Sequence, residues 1–385
     1  MKILNFSFPT HTKHRFFSVF VALSCICLSV QLTADDGAKH QVKVTNDKDS
    51  LIAFAGNYEH KGIVTVDNAG QDEDAQRLRL DVNARINFDQ RYTGNQEKNQ
   101  AIRQYRDSRA DIVIDKNKTK SFLKDTNQLI VTRINERSSQ RLQVASINDV
   151  LKQSELDLIR NPADPLTYAG VFDKTEIKIG DTWKAESDAL ADFLAVDHVY
   201  QNDVLFKLTS VNGDIAKLYI IGNAKAEIDD VTTEMEVSGV ALINTARQHL
   251  RALRATIVEN RSPGQIAPGF QGETKIDVKM SPLESVKELS NQALAQAASK
   301  KIDRRIKWEG KDIEVTFDPR WRIIASEKDA AVFRYVDQGL LLAQCNIVQL
   351  PSRKPNNPLG LDTFCLLYTS PSPRDATLSR MPSSA

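Results

Sequence analysis

The sequence predicts an α+β protein built on large curved antiparallel β-sheet, in one piece or two, with few helices. Three observations point there. Residues 77–88 alternate strictly, with Leu78, Leu80, Val82, Ala84, Ile86 and Phe88 between Arg77, Arg79, Asp81, Asn83, Arg85 and Asn87. Asn212-Gly213-Asp214 stands between two apolar runs, a strong hairpin signal. Residues 282–305 are rich in Ala, Gln, Glu, Lys and Leu and contain no Gly, which reads as a linking helix between a β-rich domain and a smaller one.

The alternation at 77–88 fixes a long strand with one dry and one wet face. One-faced strands belong to antiparallel sheets that cover a core on one side. Residues 63–66, 110–114, 129–134 and 141–147 read as shorter members of the same sheet. Residues 148–160 carry Val150, Leu151, Leu156, Leu158 and Ile159 at helical spacing, with Asn148 or Asp149 as N-cap. Asn161-Pro162 and Asp164-Pro165 end that helix. Strands resume at 204–211 and 215–221, then 227–239, 240–244 and 274–280. Residues 249–258 fit either period and are assigned to a strand because both neighbours are strands. The β-rich domain thus covers 51–281, in two halves around the 148–160 helix, which could together form one sheet. Ser281 would cap the linking helix and Pro282 begin it. Beyond it, 308–317, 321–324, 331–336 and 340–348 read as strands, with a turn at Asp337-Gln338-Gly339. Trp308, Trp321, Phe333 and Leu341 are the expected core of this domain, which covers 308–364.

The two ends read differently. Lys2, Lys13, His14 and Arg15 precede an apolar run to Leu32, then Thr33-Ala34 and Asp35-Asp36. That is the layout of a cleaved export signal, residues 1–34, with a periplasmic or extracellular destination. Lipidation of Cys25 is the alternative, although Leu23 stands one place late for it. Residues 35–50 are polar and read as a flexible leader. Residues 365–385 resemble the forward translation of a sequencing-library adapter, so the reading frame is expected to be cut near Phe364 and the last domain truncated. Without Lys2, Lys13, Arg15, Arg374, Asp375 and Arg380 the chain holds 46 basic and 49 acidic residues, not the basic excess of a nucleic-acid binder. No later apolar run is long enough for a transmembrane helix. Between the signal and the tail Cys345 is the one cysteine, so no disulfide within that stretch is expected. Its apolar neighbours mark it as an inert core residue.

The chain contains no HExxH, GxSxG, GxxxxGK[ST] or GxGxxG. His40, His60, His198 and His249 are scattered, and no cofactor or metal site is expected. Asp72-Glu73-Asp74 lacks the spacing of a calcium loop. Glu227, Asp229, Asp230, Glu234 and Glu236 fall on wet strand faces. Arg77, Arg79, Arg85 and Arg91, with Asp81 and Asp89 interleaved, read as a salt-bridged solvent face.

Several segments together resemble a known group. Glu155-Leu156-Asp157-Leu158-Ile159, Lys178-Ile179-Gly180-Asp181-Thr182-Trp183, Pro268-Gly269-Phe270, Trp308-Glu309-Gly310, Asp318-Pro319-Arg320-Trp321 and Ala343-Gln344-Cys345-Asn346-Ile347 resemble secreted planctomycete-type proteins of unknown function. The β-rich part resembles the curved sheets of bacterial envelope lipoprotein carriers. The part after Trp308 resembles the start of a PsbP-like α/β sandwich. These resemblances imply structural roles, Gly180-Asp181 in a tight turn and Trp183 as a buried anchor, and supply no catalytic residue.

The functional expectation is a non-enzymatic envelope protein, a binding or scaffold module. Its partner would be a lipid or peptide held on the dry face by Leu78, Leu80, Val82, Ile86 and Phe88, or another envelope protein. In the plainer version those five residues are simply core under a helix. A hydrolase or isomerase with carboxylates assembled from distant strands is the alternative, and a structural part of a secreted assembly is a third.

Overall fold

The computed structural model describes residues 37–66, 75–93, 99–123, 129–134, 142–147, 149–298, 305–310, 313–318, 320–327, 329–337 and 340–348. The expected export signal with Cys25, the acidic triplet at 72–74, the expected turn at 338–339, residues 351–364 and the adapter-like tail lie outside them.

The N-terminal strands are β1 (His40–Lys43), β2 (Leu51–Val66), β3 (Gln76–Tyr92), β4 (Gln100–Ile114), β5 (Asn117–Phe122), β6 (Leu129–Ile134) and β7 (Leu142–Ser146). A mostly helical stretch follows: α1 (Gln153–Ile159), a 3-10 turn at Pro165–Thr167, α2 (Tyr168–Val171), the short strands β8 (Asp173–Ile177) and β9 (Thr182–Trp183), and α3 (Ser187–Leu194). A second run of strands comprises β10 (His198–Asn202), β11 (Leu205–Asn212), β12 (Ile215–Ile228), β13 (Val231–Asn244), β14 (His249–Arg261) and β15 (Gly269–Leu283). Then come α4 (Asn291–Ala298), β16 (Ile306–Glu309), β17 (Glu314–Phe317), β18 (Trp321–Ser326), β19 (Ala330–Asp337) and β20 (Leu340–Val348).

One antiparallel sheet holds most of these strands, in the order β7-β6-β4-β3-β2-β15-β14-β13-β12-β11-β9, with β5 beside β4 and β10 beside β12. The first long strand pairs with the last, from Leu51↔Leu283 to Thr65↔Gly269. The two β-rich stretches are therefore halves of a single sheet.

That sheet must curve. Asp164 bonds Arg103 of β4, while Phe172 packs on Phe206 of β11, 5.6 Å between ring centroids. In a flat sheet β4 and β11 would be roughly 34 Å apart at ~4.8 Å per strand. Residues 164–172 could span ~28 Å even if fully extended, and they are mainly helical. The sheet bends round this segment, so its inner face and α1, α2 and α3 share one core. Trp183 is an anchor there: it stacks on Phe206 and its indole N–H donates to the Val171 carbonyl at 3.2 Å. Gly180, at φ +99°, makes the turn before it, and the Asp181 carboxylate accepts the Lys178 N–H at 2.8 Å.

Several expectations need correction. The leader is not loose throughout. β1 pairs with β8, and Val42 and Val44 are buried. Residues 63–66 and 110–114 are the ends of longer strands. The 148–160 helix is shorter: α1 begins after Lys152, whose N–H is capped by the Glu155 carboxylate at 2.9 Å. Residues 227–239 are not one strand, because Asp229 and Asp230 turn the chain at φ 47° and 64°. The linking helix does not start at Pro282. That residue lies in β15 and pairs with Ile52 of β2, beyond the end of the β14 ladder at Lys279, where a missing N–H is tolerated. Sheet pairing overrides helix propensity as far as Leu283, a 3-10 turn follows at Lys287–Leu289, and α4 starts only at Asn291.

Residues 308–317 form a hairpin rather than one strand, with β16 paired to β17. β18, β19 and β20 make a separate three-stranded sheet. Trp308, Ala331 and Phe333 form its core with Trp321 and Ile347 packed against them, whereas Leu341 is exposed. Cys345 is exposed rather than buried, and so are Leu340, Leu341 and Leu342 of the same strand, because the described residues do not cover this edge strand. Only strands occur among the described residues of this part. No helix among the described residues is long and apolar enough to cross a membrane.

Candidate functional site

The inner face of the sheet is read from its register. One row of inward positions runs Leu80, Gly62, Gly272, Glu259, Met235 across β3, β2, β15, β14 and β13. The next runs Val82, His60, Thr274, Ile257, Val237. On the other side lie Leu78, Val64, Phe270, Arg261 and Thr233. The adjacent glycines of the first row leave room for an aromatic ring. A Cβ on either would meet the Phe270 ring, at 2.8 Å from Gly62 and 2.7 Å from Gly272.

Over this floor stand Arg160 and Pro162, which follow α1, and Leu194 and Ala195 at the end of α3. Between wall and floor is a cleft of about 320 Å³, at the small end of ligand-site volumes. Leu80, Val82, Met235, Ile257 and Phe270 give it an apolar lining.

Its polar groups are few. His60 Nδ1 and Thr274 Oγ1 lie 2.9 Å apart. Burial lowers the His60 pKa, so the imidazole is neutral at pH 7. Glu259 and Arg261 pair at 3.6 Å, with only 13% and 12% of their side chains exposed. Burial raises the Glu259 pKa and Arg261 opposes it. The Glu259 Oε1 and Arg261 Nε atoms, like the Arg160 Nε, are buried without a hydrogen-bond partner. Arg160 differs in charge pairing, because among the described residues its guanidinium makes no ion pair. Burial lowers its pKa, with Arg322 adding to the effect and Asp157, Asp229 and Asp197 opposing it.

Beside Arg160 the carboxylates have other bonds. Asp229 pairs with Arg322 at 3.3 Å. Asp197 accepts the Asp229 N–H at 2.6 Å. Burial, then Asp229, pushes the Asp197 pKa up to about 6. Glu227, placed on a wet face by the sequence, bonds the Tyr200 hydroxyl, and Glu234 pairs with Lys225 at 3.4 Å. On the outer face of β3, Arg85 pairs with Asp107 at 3.7 Å and Arg91 with Asp49 at 2.6 Å. Among the described residues no three His, Cys, Asp or Glu side chains are grouped to hold a metal ion.

The five apolar candidates divide. Leu80 and Val82 line the cleft. Leu78 is half-buried beside it. Ile86 and Phe88 lie in the packed core, with Phe88 stacked on Phe54 at 4.5 Å and tilted against Tyr105 at 5.1 Å. The sequence reading missed His60, Thr274, Glu259, Arg261, Phe270 and Arg160. A signal existed for two of them. Leu253, Ala255 and Ile257 alternate inward on β14, and Glu259 and Arg261 continue that parity. Charged residues at inward positions mark the place where the core stops.

No protein-family model and no curated protein matches the chain. Among solved structures, one of lipovitellin, titled for its lipid–protein interactions, is similar with a TM-score of 0.35 and 7% identity, over 64% of this chain and 27% of that one. The chain thus spans well under two thirds of that protein's length. An outer membrane channel from Pseudomonas putida F1 is similar with a TM-score of 0.18 and 5% identity, over 61% of this chain and 96% of that one. Likenesses this low carry no argument about fold or ligand.

Proposed function

We propose that this chain is an exported, non-enzymatic binding module of the bacterial envelope, and that it holds a small hydrophobic ligand in the cleft of its curved sheet. The observation that carries the reading is the cleft itself. The same inward positions that bury Ile86 and Phe88 in solid core leave Leu80 and Val82 against open space. Apolar walls with a few polar groups suit a ligand that is mostly hydrocarbon. In this reading β16–β20 open a second, PsbP-like α/β module.

The test is a titration with octan-1-ol, a neutral probe, followed on the methyl resonances of Leu80, Val82, Met235 and Ile257. Saturable shifts confined to these residues are expected. Leu80→Trp fills the cleft and should weaken binding at least ~10-fold while the chain stays folded. Unsaturable shifts, or equal binding by Leu80→Trp, would defeat the reading.

A further inference from the structure

We infer that the ligand is a medium-chain carboxylate whose head is held by Arg160 and whose chain lies over Leu80, Val82, Met235 and Phe270. The inference rests on the binding-module reading and adds the chemistry of the head. Its basis is a count of partners around the cleft. Arg261 has Glu259 and Arg322 has Asp229. Asp197 holds the Asp229 N–H, and Asp157 accepts from the Gln153 amide at 2.6 Å. Arg160 is the cation left over. It lines the cleft, and its Nε is shut off from solvent and bonded to nothing among the described residues.

Arg160 as a whole is half-buried, but a donor such as its Nε, buried without a partner, is costly, and native structures satisfy such groups with protein, water or ligand. A carboxylate matches the guanidinium fork with two parallel charge-assisted hydrogen bonds. Asp157, Asp197 and Asp229 all act on Arg160, but each is already bonded elsewhere, so none takes the place of a bound anion. A neutral head would leave the Arg160 donors unmatched. The size is set by the cleft. A volume of about 320 Å³ equals roughly ten waters at ~30 Å³ each. Octanoate, with about ten non-hydrogen atoms, suits it, whereas a diacyl lipid does not.

The experiment compares octanoate with octan-1-ol, equal in chain length and different in charge, by calorimetry and methyl shifts on the full chain. Octanoate should bind at least ~10-fold more tightly. Arg160→Gln should bring octanoate down to the level of the alcohol and leave the alcohol unmoved, and Arg160→Lys should recover part of the loss. Equal affinity for the two probes on the unaltered chain, which needs no variant to fold, overturns the assignment of the head and leaves the apolar cleft standing. So does an octanoate affinity unmoved in Arg160→Gln. Binding of neither probe removes the cleft reading and this inference together.

Discussion

The two ends of β3 present the same face and meet different fates. At one end Ile86 and Phe88 pack against Phe54, Tyr58 and Tyr105 under the segment that carries Asp164. At the other, Leu80 and Val82 face a cleft. Strand alternation says which side of a sheet is dry and does not say what covers it. The cover comes from residues 153–195, which pack down on one end of the curved sheet and, at Arg160, Pro162, Leu194 and Ala195, leave a cleft over the other.

Charges differ between the ends in the same sense. Inside the packed end Arg103 holds Asp164 with two bonds of 2.7 and 2.6 Å and donates to Gln90 at 2.7 Å. The Arg103 and Asp164 side chains are 1% and 4% exposed. Burial works against the Arg103 charge, but Asp164 and Tyr105 outweigh it and its pKa is raised. Beside the cleft, Arg160 has no ion-pair partner among the described residues and burial lowers its pKa.

The largest expected effect breaks the packed end. Asp164→Ala removes both bonds to Arg103 and the acceptor for the Leu166 N–H. Stranding a buried arginine costs about 3–5 kcal/mol, and the lost cap adds about 1 kcal/mol. Urea unfolding should show a loss near the top of this range. A loss below ~1 kcal/mol would mean that water reaches Arg103 and that the packed end is not dry.

The next pair compares the two ends directly. Phe88→Ala should cost about 3–5 kcal/mol, because it deletes a ring stacked between others and leaves a cavity. Leu80→Ala should cost about 1 kcal/mol, since the side chain already borders open space and loses mainly transfer energy. Equal losses in thermal unfolding would show that the cleft is closed in solution.

How much of this was legible in the sequence follows from the same contrast. Local signals carried well. Asn212-Gly213 marked the β11–β12 hairpin, and the 77–88 alternation marked the buried face of β3. Where a signal was read locally but the outcome is tertiary, it failed. Pro282 looks like a helix start, yet its neighbours complete the β2–β15 ladder. Asp229-Asp230 make a turn without glycine, because aspartate tolerates the left-handed region. The cleft was half legible. Leu80 and Val82 share a strand pattern, and Glu259 and Arg261 could have been found by parity. Arg160 could not, because it reaches the site only once the segment after α1 folds into the curve of the sheet.

The last and smallest prediction sharpens the comparison through pH. Asp197, beside Arg160, titrates at about 6 in the folded chain, against 3.8 for an ordinary aspartate. A raised carboxylate pKa means that the folded state holds the proton more tightly than the unfolded state does. Ionised Asp197 therefore costs stability above pH 6, and the cost fades as pH falls towards 3.8. The shift corresponds to at most ~3 kcal/mol, and partial exposure makes ~1–2 kcal/mol the realistic figure. Asp197→Asn keeps an oxygen to accept the Asp229 N–H and loses the charge. It should stabilise the chain by that amount at pH 7.5 and leave it unchanged at pH 3.5, read as the difference between the two urea midpoints. Asp164→Ala should cost stability at both pH values, because it strands the Arg103 guanidinium, which stays charged throughout. A stabilisation by Asp197→Asn that persisted at pH 3.5 would show that packing, not charge, sets its effect, and would remove this second difference between the open and packed ends.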